Sequence, residues 1–505
     1  MSTALEPCSA CSSECESAGI QQADPSSIKS QAARGGVWLG AFRLMGQGIS
    51  WLITIVIVRM LAPEDYGLMA MATILTGYIE IFCELGMGAA IVQKYRIEET
   101  ELSSNFWFSL VVGCCFGLVA MLLAYPTAWL FDEPRVIQLT QAVSVLFVIG
   151  GMKVVPTNIL LRDLRFRAVG AIQLVATIIS VAAMLLLAFQ GWGVWTLIGG
   201  VVALRVVDLL LSFIVSGWMP RLWFEFEEIR PFLRFGFGVV GSRSLFYVFQ
   251  NSDRFIVGKM LGTEALGYYS LALTLANLPL EKSMSILGQV ALPLFSRLQN
   301  NLEHIRDTFT SLTKYTMLVI APLYFGGAAF GDHVIQGILG DKWAPIVFLF
   351  RVMCVVQFIG IAVSLSNVVN YAMGRTHWAV LFYGTNVLLV PPAIYVAVHY
   401  GLNSIAIPWL AIYPILCGCY VFLTVRAVKL PLSRYVREGF SPTGASLVMI
   451  LGIFAFQAAL PVRFSENVTN ALFLDILCGV LIYVSYQLAF NRASLKALID
   501  RRVFG

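Results

Sequence analysis

Charge is scarce in this chain. Of its 505 residues only 12% are Asp, Glu, Lys or Arg, whereas an ordinary soluble domain carries about 25%. Hydrophobic residues make up 58%, and apolar runs that could cross about 30 Å of hydrocarbon as helices recur along nearly the whole chain. These runs are too long for the strands of a membrane β-barrel. The sequence therefore predicts an all-α polytopic membrane protein.

Residue types that usually carry catalysis or bind metals are also few. Three cysteines of the polar N-terminal tail have a spacing that could hold a metal, but no histidine or fourth ligand is near, so a disordered tail is preferred. No Walker A pattern is present, so we do not expect the chain to hydrolyse ATP. We expect no catalytic residues, no metal and no cofactor. The tail cysteines are Cys8, Cys11 and Cys15, and the histidines, all expected to be solvated, are His304, His333, His377 and His399.

An internal repeat is present in the chain. Residues 250–272 lie over residues 50–72 when shifted by 200 positions, and one gapless register holds from residue 43 to residue 75. We interpret this as a duplication. The matching pairs include Arg43 with Arg243, Met60 with Met260, Leu61 with Leu261, Glu64 with Glu264 and Gly67 with Gly267.

Hydropathy predicts about 14 transmembrane helices. Six spans, an even number, separate the repeated segments, so both segments enter the membrane from the same side. The two halves are therefore predicted to be parallel repeats, with transport sites between them. The spans are predicted at about 37–61, 66–92, 105–130, 136–161, 168–189, 193–216, 236–262, 265–294, 307–330, 344–372, 378–399, 402–426, 441–461 and 470–490. The predicted domains are a disordered cytoplasmic tail (1–34), an N-lobe of six spans (35–217), a cytoplasmic linker (218–235), a C-lobe of six spans (236–430), two extra C-terminal helices (431–491) and a basic cytoplasmic C-terminus (492–505).

Lysine and arginine indicate the orientation of the chain. If the N-terminus is cytoplasmic, 22 of the 34 basic residues fall in cytoplasmic segments and five in outer loops. Cytoplasmic loops normally carry this excess. Both termini are therefore predicted to be cytoplasmic, in a multi-pass protein of the inner (plasma) membrane.

Seven basic residues fall within the predicted spans. A charge at mid-helix costs about 2.5–3.5 kcal/mol on insertion scales, so such residues normally face a bundle interior or water. In the first span Arg43, Gln47, Ser50 and Thr54 share one helical face. The equivalent face of the seventh span carries Arg243, Tyr247, Gln250 and Arg254.

The two faces predict a shared cationic cavity for an anionic passenger. The planar guanidinium group suits phosphate, because it can bind two oxygens at once. Pairing with carboxylates between helices is the alternative, and we prefer it for Arg205, which has Asp208 three residues on. The predicted substrate-binding cations are Arg43, Arg243, Arg254, Lys153 and Arg351, with Gln47, Tyr247 and Gln250 as further polar cavity residues.

Four carboxylates lie within or beside the predicted spans. Buried carboxylates can titrate or bind Na⁺, and could couple transport to a proton or sodium gradient. They could equally be counter-ions to the arginines. The four are Glu80, Glu84, Asp253 and Glu281.

Two stretches of the repeat resemble a known family. Asn251-Ser-Asp253-Arg254-Phe-Ile-Val-Gly258-Lys259-Met-Leu261-Gly262, with Ala265-Leu-Gly267-Tyr268-Tyr269-Ser270, resembles the middle of bacterial polysaccharide transporters. Arg59-Met-Leu-Ala-Pro63-Glu-Asp65-Tyr66-Gly67-Leu is similar to their beginning. These transporters are the Wzx-type oligosaccharide flippases of the multidrug/oligosaccharidyl-lipid/polysaccharide (MOP) exporter superfamily, and the likeness covers roughly residues 34–430.

The resemblance implies two six-helix lobes that open alternately to each side of the membrane. It implies a passenger such as an undecaprenyl-diphosphate-linked oligosaccharide, an anionic lipid-linked glycan moved towards exopolysaccharide, O-antigen or capsule. Polymerase and chain-length proteins are possible partners, and no nucleic acid is expected. The alternatives are a lipid II-type or other glycolipid flippase, a polysaccharide polymerase or ligase, and a small-solute exporter. The enzyme alternatives are weaker, because the predicted outer loops are short.

Overall fold

The computed structural model describes residues 25–83, 91, 97–225, 230–299, 301–459 and 468–490. Side chains are not described at 25–37, 82–83, 230–243, 285–286, 288–290, 292–293, 458–459 and 468–471. Within the described ranges every regular element is a helix, as the predicted all-α class requires.

Fourteen α-helices organise the described chain. They are α1 (Pro25–Met60), α2 (Pro63–Cys83), α3 (Glu99–Phe131), α4 (Arg135–Arg162), α5 (Phe166–Phe189), α6 (Trp195–Ser216), α7 (Arg230–Leu298), α8 (Leu302–Ala329), α9 (Gly331–Leu339), α10 (Val347–Ala372), α11 (Thr376–Val398), α12 (Ala406–Ala427), α13 (Ser441–Ala459) and α14 (Val468–Phe490). Short helical turns at Asp341–Ile346 and Leu402–Ile405 precede α10 and α12, and a further bent segment spans 432–439.

Each predicted span coincides with a helix or with part of one. In the described residues nine helical segments are long and apolar enough to cross a membrane, or eleven if each of two bent pairs forms one span. The full count of fourteen membrane spans stays a prediction. The remaining three predicted spans correspond to α2 and to the two parts of α7, which together carry most of the repeat.

Several predicted boundaries are wrong. Helix α1 begins at Pro25, so ten residues of the predicted tail 1–34 are helical, and the tail cysteines lie outside the described residues. Helix α7 begins at Arg230, inside the predicted linker 218–235. The predicted outer loop around 331–343 is largely helical, because α9 bends away from α8 by 81° and a helical turn follows it.

The long helix α7 is broken at one residue. Gly262 has non-helical backbone angles, φ 81° and ψ −171°, and a positive φ is accessible to glycine at little cost. We call the parts before and after Gly262 α7a and α7b. The equivalent position in the first repeat, Ala62, lies in the break between α1 and α2. The two repeats therefore bend at the same place.

Helix packing in the first half recurs in the second half. In the first six helices, α1 packs on α5, α2 on α3 and α4, α3 on α4, and α6 on α4 and α5. In the second half, α7 packs on α8, α10 and α11, α8 on α10, and α12 on α10 and α11. Helices α13 and α14 pack on each other, and they contact the second half through α8 and α9. The core is therefore divided into two similar six-helix groups with one appended pair.

The two groups meet where Gly67 and Gly267 lie against each other. A Cβ atom on either glycine would be 3.1 Å from the backbone nitrogen of the other. It would also overlap a carbonyl oxygen, of Thr263 for Gly67 and of Pro63 for Gly267. These partners are themselves related by the 200-residue shift, so the contact is reciprocal, as at a two-fold axis. We call this contact the crossing.

A segment after α8 holds this end of the bundle together. The guanidinium group of Arg59 donates to the carbonyls of Ile338 (2.6 Å) and Gly337 (2.8 Å) in the last turn of α9, where a cation is favoured. Lys342 Nζ donates to the carbonyls of Arg59 (2.7 Å) and Leu61 (2.6 Å). The buried Trp343 donates to the carbonyl of Val58 at 3.0 Å. We call residues 331–346 the cap segment, because they close the space beside the crossing.

Ion pairs at the ends of neighbouring helices support the same region. Arg135 bridges Glu133 (2.8 Å) and Glu64 (2.6 Å), and its hydrogen bond holds the pKa of Glu133 below the ordinary value. Lys259 pairs with Asp132 at 2.6 Å. These pairs join α2 to α4 and α7a to the end of α3, so both lobes contribute to the closed end.

Candidate functional site: three cavities with different chemistry

A large cavity lies between α1 and α5. Its volume is about 780 Å³, and Lys282 of α7b also lines it. Arg43, Gln47, Ser50 and Thr54 line the cavity from α1, so the polar face predicted from their spacing faces one space. Most of the remaining wall is apolar. We call it the cationic cavity.

The two cations of this cavity, Arg43 and Lys282, make few contacts with other side chains. Arg43 Nε donates to Gln173 Oε1 at 3.2 Å, and Arg43 is exposed. Lys282 Nζ lies 3.8 Å from the carboxylate of Glu281, whose side chain is 59% exposed. In the described residues Arg43 has no carboxylate partner. An anion that entered the cavity would therefore find two positive groups, one from each lobe.

The second cavity lies within the N-lobe and its charges are paired. It has a volume of about 470 Å³ and is lined by residues of α2, α3, α4 and α6. Glu80 accepts from Arg205 at 3.4 Å, and Lys153 pairs with Asp208. The predicted pairing of Arg205 with Asp208 is therefore wrong, because each residue has a partner on another helix. We call this space the paired cavity.

The third cavity lies within the C-lobe. It has a volume of about 230 Å³ and is bounded by α7a, α7b, α10, α11 and α12. Two predicted site residues, Gln250 and Arg254, line it beside the buried Asp253. We call it the polar cavity.

A chain of hydrogen bonds fixes Asp253. Its Oδ2 accepts from the hydroxyl of Tyr269 at 2.7 Å, and that hydroxyl accepts from Trp409 Nε1 at 3.0 Å. Its Oδ1 accepts from the backbone N–H of Arg254 at 2.7 Å. Neutral donors therefore hold both carboxylate oxygens.

Two predicted cavity residues have other contacts. The hydroxyl of Tyr247 donates to carbonyls of α2, at 2.8 Å to Ile74 and 3.3 Å to Thr73. This bond joins the lobes, and the prediction of Tyr247 as a free cavity residue did not anticipate it. Arg351 pairs with Asp332 at 2.7 Å beside the α8–α9 bend. Arg351 therefore forms an ion pair with the cap segment.

Two further predictions lie outside the described residues. Glu84 falls in 84–90, and the side chain of Arg243 falls in 230–243. The roles predicted for both stay predictions. In the part of the chain that the structure describes, no group of three or more His, Cys, Asp or Glu side chains could hold a metal ion.

Sequence reasoning missed one buried polar cluster. Asp475 of α14 is 3% exposed and accepts from Gln457 of α13 at 2.9 Å. Its other partner is His333 of α9, whose Nδ1 lies 2.7 Å from Asp475 Oδ2. The prediction of a solvated His333 is therefore wrong. A carboxylate within the last predicted span was the signal that could have identified the cluster.

Solved structures of other proteins have a similar fold. The chain is similar to the lipid II flippase MurJ in an inward closed conformation, with a TM-score of 0.72 at 15% identity over 91% of this chain and all of that one. It is also similar to an inward-facing MATE multidrug resistance transporter of the MOP superfamily, with a TM-score of 0.57 at 14% identity over 76% of this chain and 94% of that one. The likeness shows that this chain has the multi-helix fold of these two proteins.

The family model for polysaccharide biosynthesis proteins matches residues 56–348, which is more than half of the chain. The chain belongs to this family. The succinoglycan biosynthesis transport protein ExoT of Rhizobium meliloti (strain 1021) is 26% identical over 466 residues, covering 90% of this chain and 92% of ExoT. The family resemblance predicted from the two repeat stretches is confirmed.

Proposed function

We propose that this protein flips lipid-linked oligosaccharide repeat units across the inner membrane during polysaccharide biosynthesis. Membership of the polysaccharide biosynthesis family and similarity to ExoT, a succinoglycan biosynthesis transport protein, support this. The observation that carries the proposal is the cationic cavity, because Arg43 and Lys282 come from different lobes and face one space. In this proposal both termini are cytoplasmic and the crossing lies at the outer face.

The cavity suits a diphosphate on a lipid. Arg43 offers a planar donor fork and Lys282 a compact charge, and both bind phosphate oxygens well. On α1, Trp51 at the wall of the cavity is 44% exposed and its neighbour Leu52 is 68% exposed. The polyprenyl chain would remain in the bilayer against this apolar face while the charged head enters between α1 and α7b.

Alternating access would use the crossing as its pivot. The reciprocal contact of Gly67 and Gly267 lies between the lobes, and small residues allow helices in membranes to pack closely and shift against each other. Release to the outer side would require the cap segment to separate from Arg59. Transport requires no bond to form or break in the passenger, so we propose a transporter and not an enzyme. Polymerase and chain-length proteins would act on the delivered units.

Lipid analysis of cells lacking this protein tests the function. We expect a diphosphate-linked oligosaccharide to accumulate on the cytoplasmic leaflet, because the unit is built there and cannot cross unaided. Re-expression of the protein should remove it. Finished units that reach the outer leaflet but stay unpolymerised would contradict the flippase proposal and support the polymerase alternative. Accumulation of lipid II in place of a polysaccharide unit would support the lipid II-type alternative.

We also propose that Asp253 couples transport to a proton gradient. Among the predicted coupling residues that are described, Glu80 and Glu281 face cations, whereas both oxygens of Asp253 are held by neutral donors. Burial disfavours the ionised form of a carboxylate, so Asp253 can bind a proton when its hydrogen bonds change during transport. We expect flipping in proteoliposomes to fall several-fold when the proton gradient is collapsed, and Asp253→Asn to remove the dependence.

Replacing the proton gradient by a sodium gradient separates the two ions. A response to sodium alone would assign the coupling to Na⁺ and overturn the proton proposal. Undiminished wild-type flipping without any gradient would show exchange driven by the passenger itself.

A further inference from the structure

The polar cavity of the C-lobe contains hydrogen-bonding groups that the protein leaves unused. Gln250, Asn277 and Gln357 line it from α7a, α7b and α10, and none of them has a hydrogen-bond partner within the described residues. The Nε of Arg254 is buried and likewise has no partner in this part of the chain. A buried polar group is normally paired, and an unpaired one costs free energy. Of these four groups Arg254 Nε is buried, whereas Gln250 is exposed and Asn277 and Gln357 are half-buried. One buried donor without a partner and three free amides around one space point to a polar ligand.

The other cavities differ in this respect. In the paired cavity, Glu80 and Lys153 face the opposite charges of Arg205 and Asp208. In the cationic cavity, Arg43 uses the amide of Gln173, and most of the wall is apolar. Within the described residues, three amides without a partner line the polar cavity, whereas one, Gln47, lines the cationic cavity.

Aromatic rings form another part of the cavity wall. Trp409 packs edge-on against Tyr413, with ring centroids 5.2 Å apart, and Phe249 stacks on Tyr413 at 6.3 Å. The hydrogen bond from Trp409 to Tyr269 fixes the indole ring in place. A rigid aromatic face suits an apolar ligand surface. The amides of Gln250, Asn277 and Gln357 suit hydroxyl groups, which both donate and accept hydrogen bonds. One ligand with an apolar face and a ring of hydroxyls is a sugar.

The charge of the cavity favours a neutral sugar. Asp253 and Arg254 are neighbours that line the same space, and while Asp253 is ionised their opposite charges leave no net charge to attract a phosphate. The volume of about 230 Å³ equals roughly eight water molecules at about 30 Å³ each, which is enough for one sugar ring and its hydroxyls. Gln250 is exposed, so the cavity has a mouth on α7a.

We propose that the polar cavity binds one neutral sugar ring of the lipid-linked substrate, with Gln357 and Asn277 as specificity-determining residues. The proposal rests on the flippase function and adds a second contact, separate from the diphosphate contact in the cationic cavity. The sugar stacks on Trp409 and Tyr413, and its hydroxyls use the amides and Arg254 Nε.

Two synthetic lipids test the proposal in proteoliposomes that contain the full chain. One is a polyprenyl diphosphate carrying a single neutral hexose, and the other is the same polyprenyl diphosphate without sugar. Gln357→Met keeps the length of the side chain and removes its hydrogen-bonding groups. Gln487→Met makes the same change at a buried residue of α14, far along the chain from this cavity, and serves as the matched control.

We expect Gln357→Met to lower flipping of the hexose lipid about tenfold, since each lost hydrogen bond reduces binding several-fold, and to leave flipping of the sugar-free lipid unchanged. Asn277→Leu should act in the same direction, and Gln487→Met should change neither rate. Equal loss for both lipids, or no loss for the hexose lipid, would overturn the sugar site. Failure of the wild-type protein to flip either lipid would instead count against the flippase function itself.

Discussion

Export is expected to fall more than tenfold when Gly67 is replaced by alanine, and by a similar factor in Gly267→Ala. A Cβ at either position overlaps a backbone carbonyl of the other lobe, and backbone cannot turn aside as a flexible side chain can. Overpacking of a well-packed contact costs about 1–3 kcal/mol. The overlap lies in the contact between the two lobes, so relieving it should change the position of one lobe relative to the other. Export by complemented cells and thermal stability of the purified protein measure the effect.

A glycine of α1 supplies the matched control for the crossing. At Gly48, which does not line the cationic cavity, a Cβ meets no atom within 4 Å, so alanine there should be tolerated and should slightly favour the helix. Because the crossing is reciprocal, Gly67→Ala and Gly267→Ala should have similar effects on stability. Normal export and stability in both variants, at levels equal to Gly48→Ala, would show that the lobes do not depend on this contact.

Arg43→Ala and Lys282→Ala are expected to lower flipping of the native lipid-linked unit by about tenfold to a hundredfold each. Hydrogen bonds to charged groups contribute about 1.5–3 kcal/mol, and each 1.4 kcal/mol is about tenfold in binding. Neither residue supports the fold strongly, since Arg43 is exposed and Lys282 has only a long contact to Glu281. Both variants should therefore insert normally, which the amount of protein in the membrane fraction checks.

Arg437→Ala is the control for the loss of one positive charge. Its side chain is 82% exposed and lies 3.8 Å from Glu438, so its removal should leave flipping unchanged. Arg43→Lys should keep part of the activity, because lysine retains the charge and loses the planar fork. Full activity in both Arg43→Ala and Lys282→Ala would place the diphosphate elsewhere. The matching prediction for Arg243→Ala, that it too reduces export, stands on the repeat alone.

The repeat made much of the fold predictable. One register over residues 43–75 predicted that the two halves enter the membrane alike, and the structure has helix breaks at the equivalent positions Ala62 and Gly262. The face of Arg43, Gln47, Ser50 and Thr54 could be predicted because helical spacing is local, and all four line one cavity. Whether those residues bind the passenger stays a prediction.

Pairings between distant helices could not be predicted. Lys153 and Asp208, or His333 and Asp475, are far apart in sequence and meet only through tertiary packing. For Arg205 the nearest carboxylate in sequence was the wrong partner, because another helix brings Glu80 closer. The cap segment was missed for another reason. Its single short helix gives no long apolar run. Its contacts with α1, from Arg59 to the carbonyl of Ile338 and from Lys342 to the carbonyl of Arg59, have no sequence signature.

The bond between Tyr247 and α2 has a consequence for the size of the passenger. Its repeat equivalent is Gln47, which lines the cationic cavity. We call each line of contact between the lobes a seam. One seam is therefore joined by a hydrogen bond, whereas the equivalent seam contains a cavity. A lipid-linked chain that enters sideways through that second seam is never fully enclosed by protein. The length of the glycan is then not limited by the volume of any cavity. Only the sugars nearest the diphosphate need to fit, so one scaffold can serve repeat units of very different lengths.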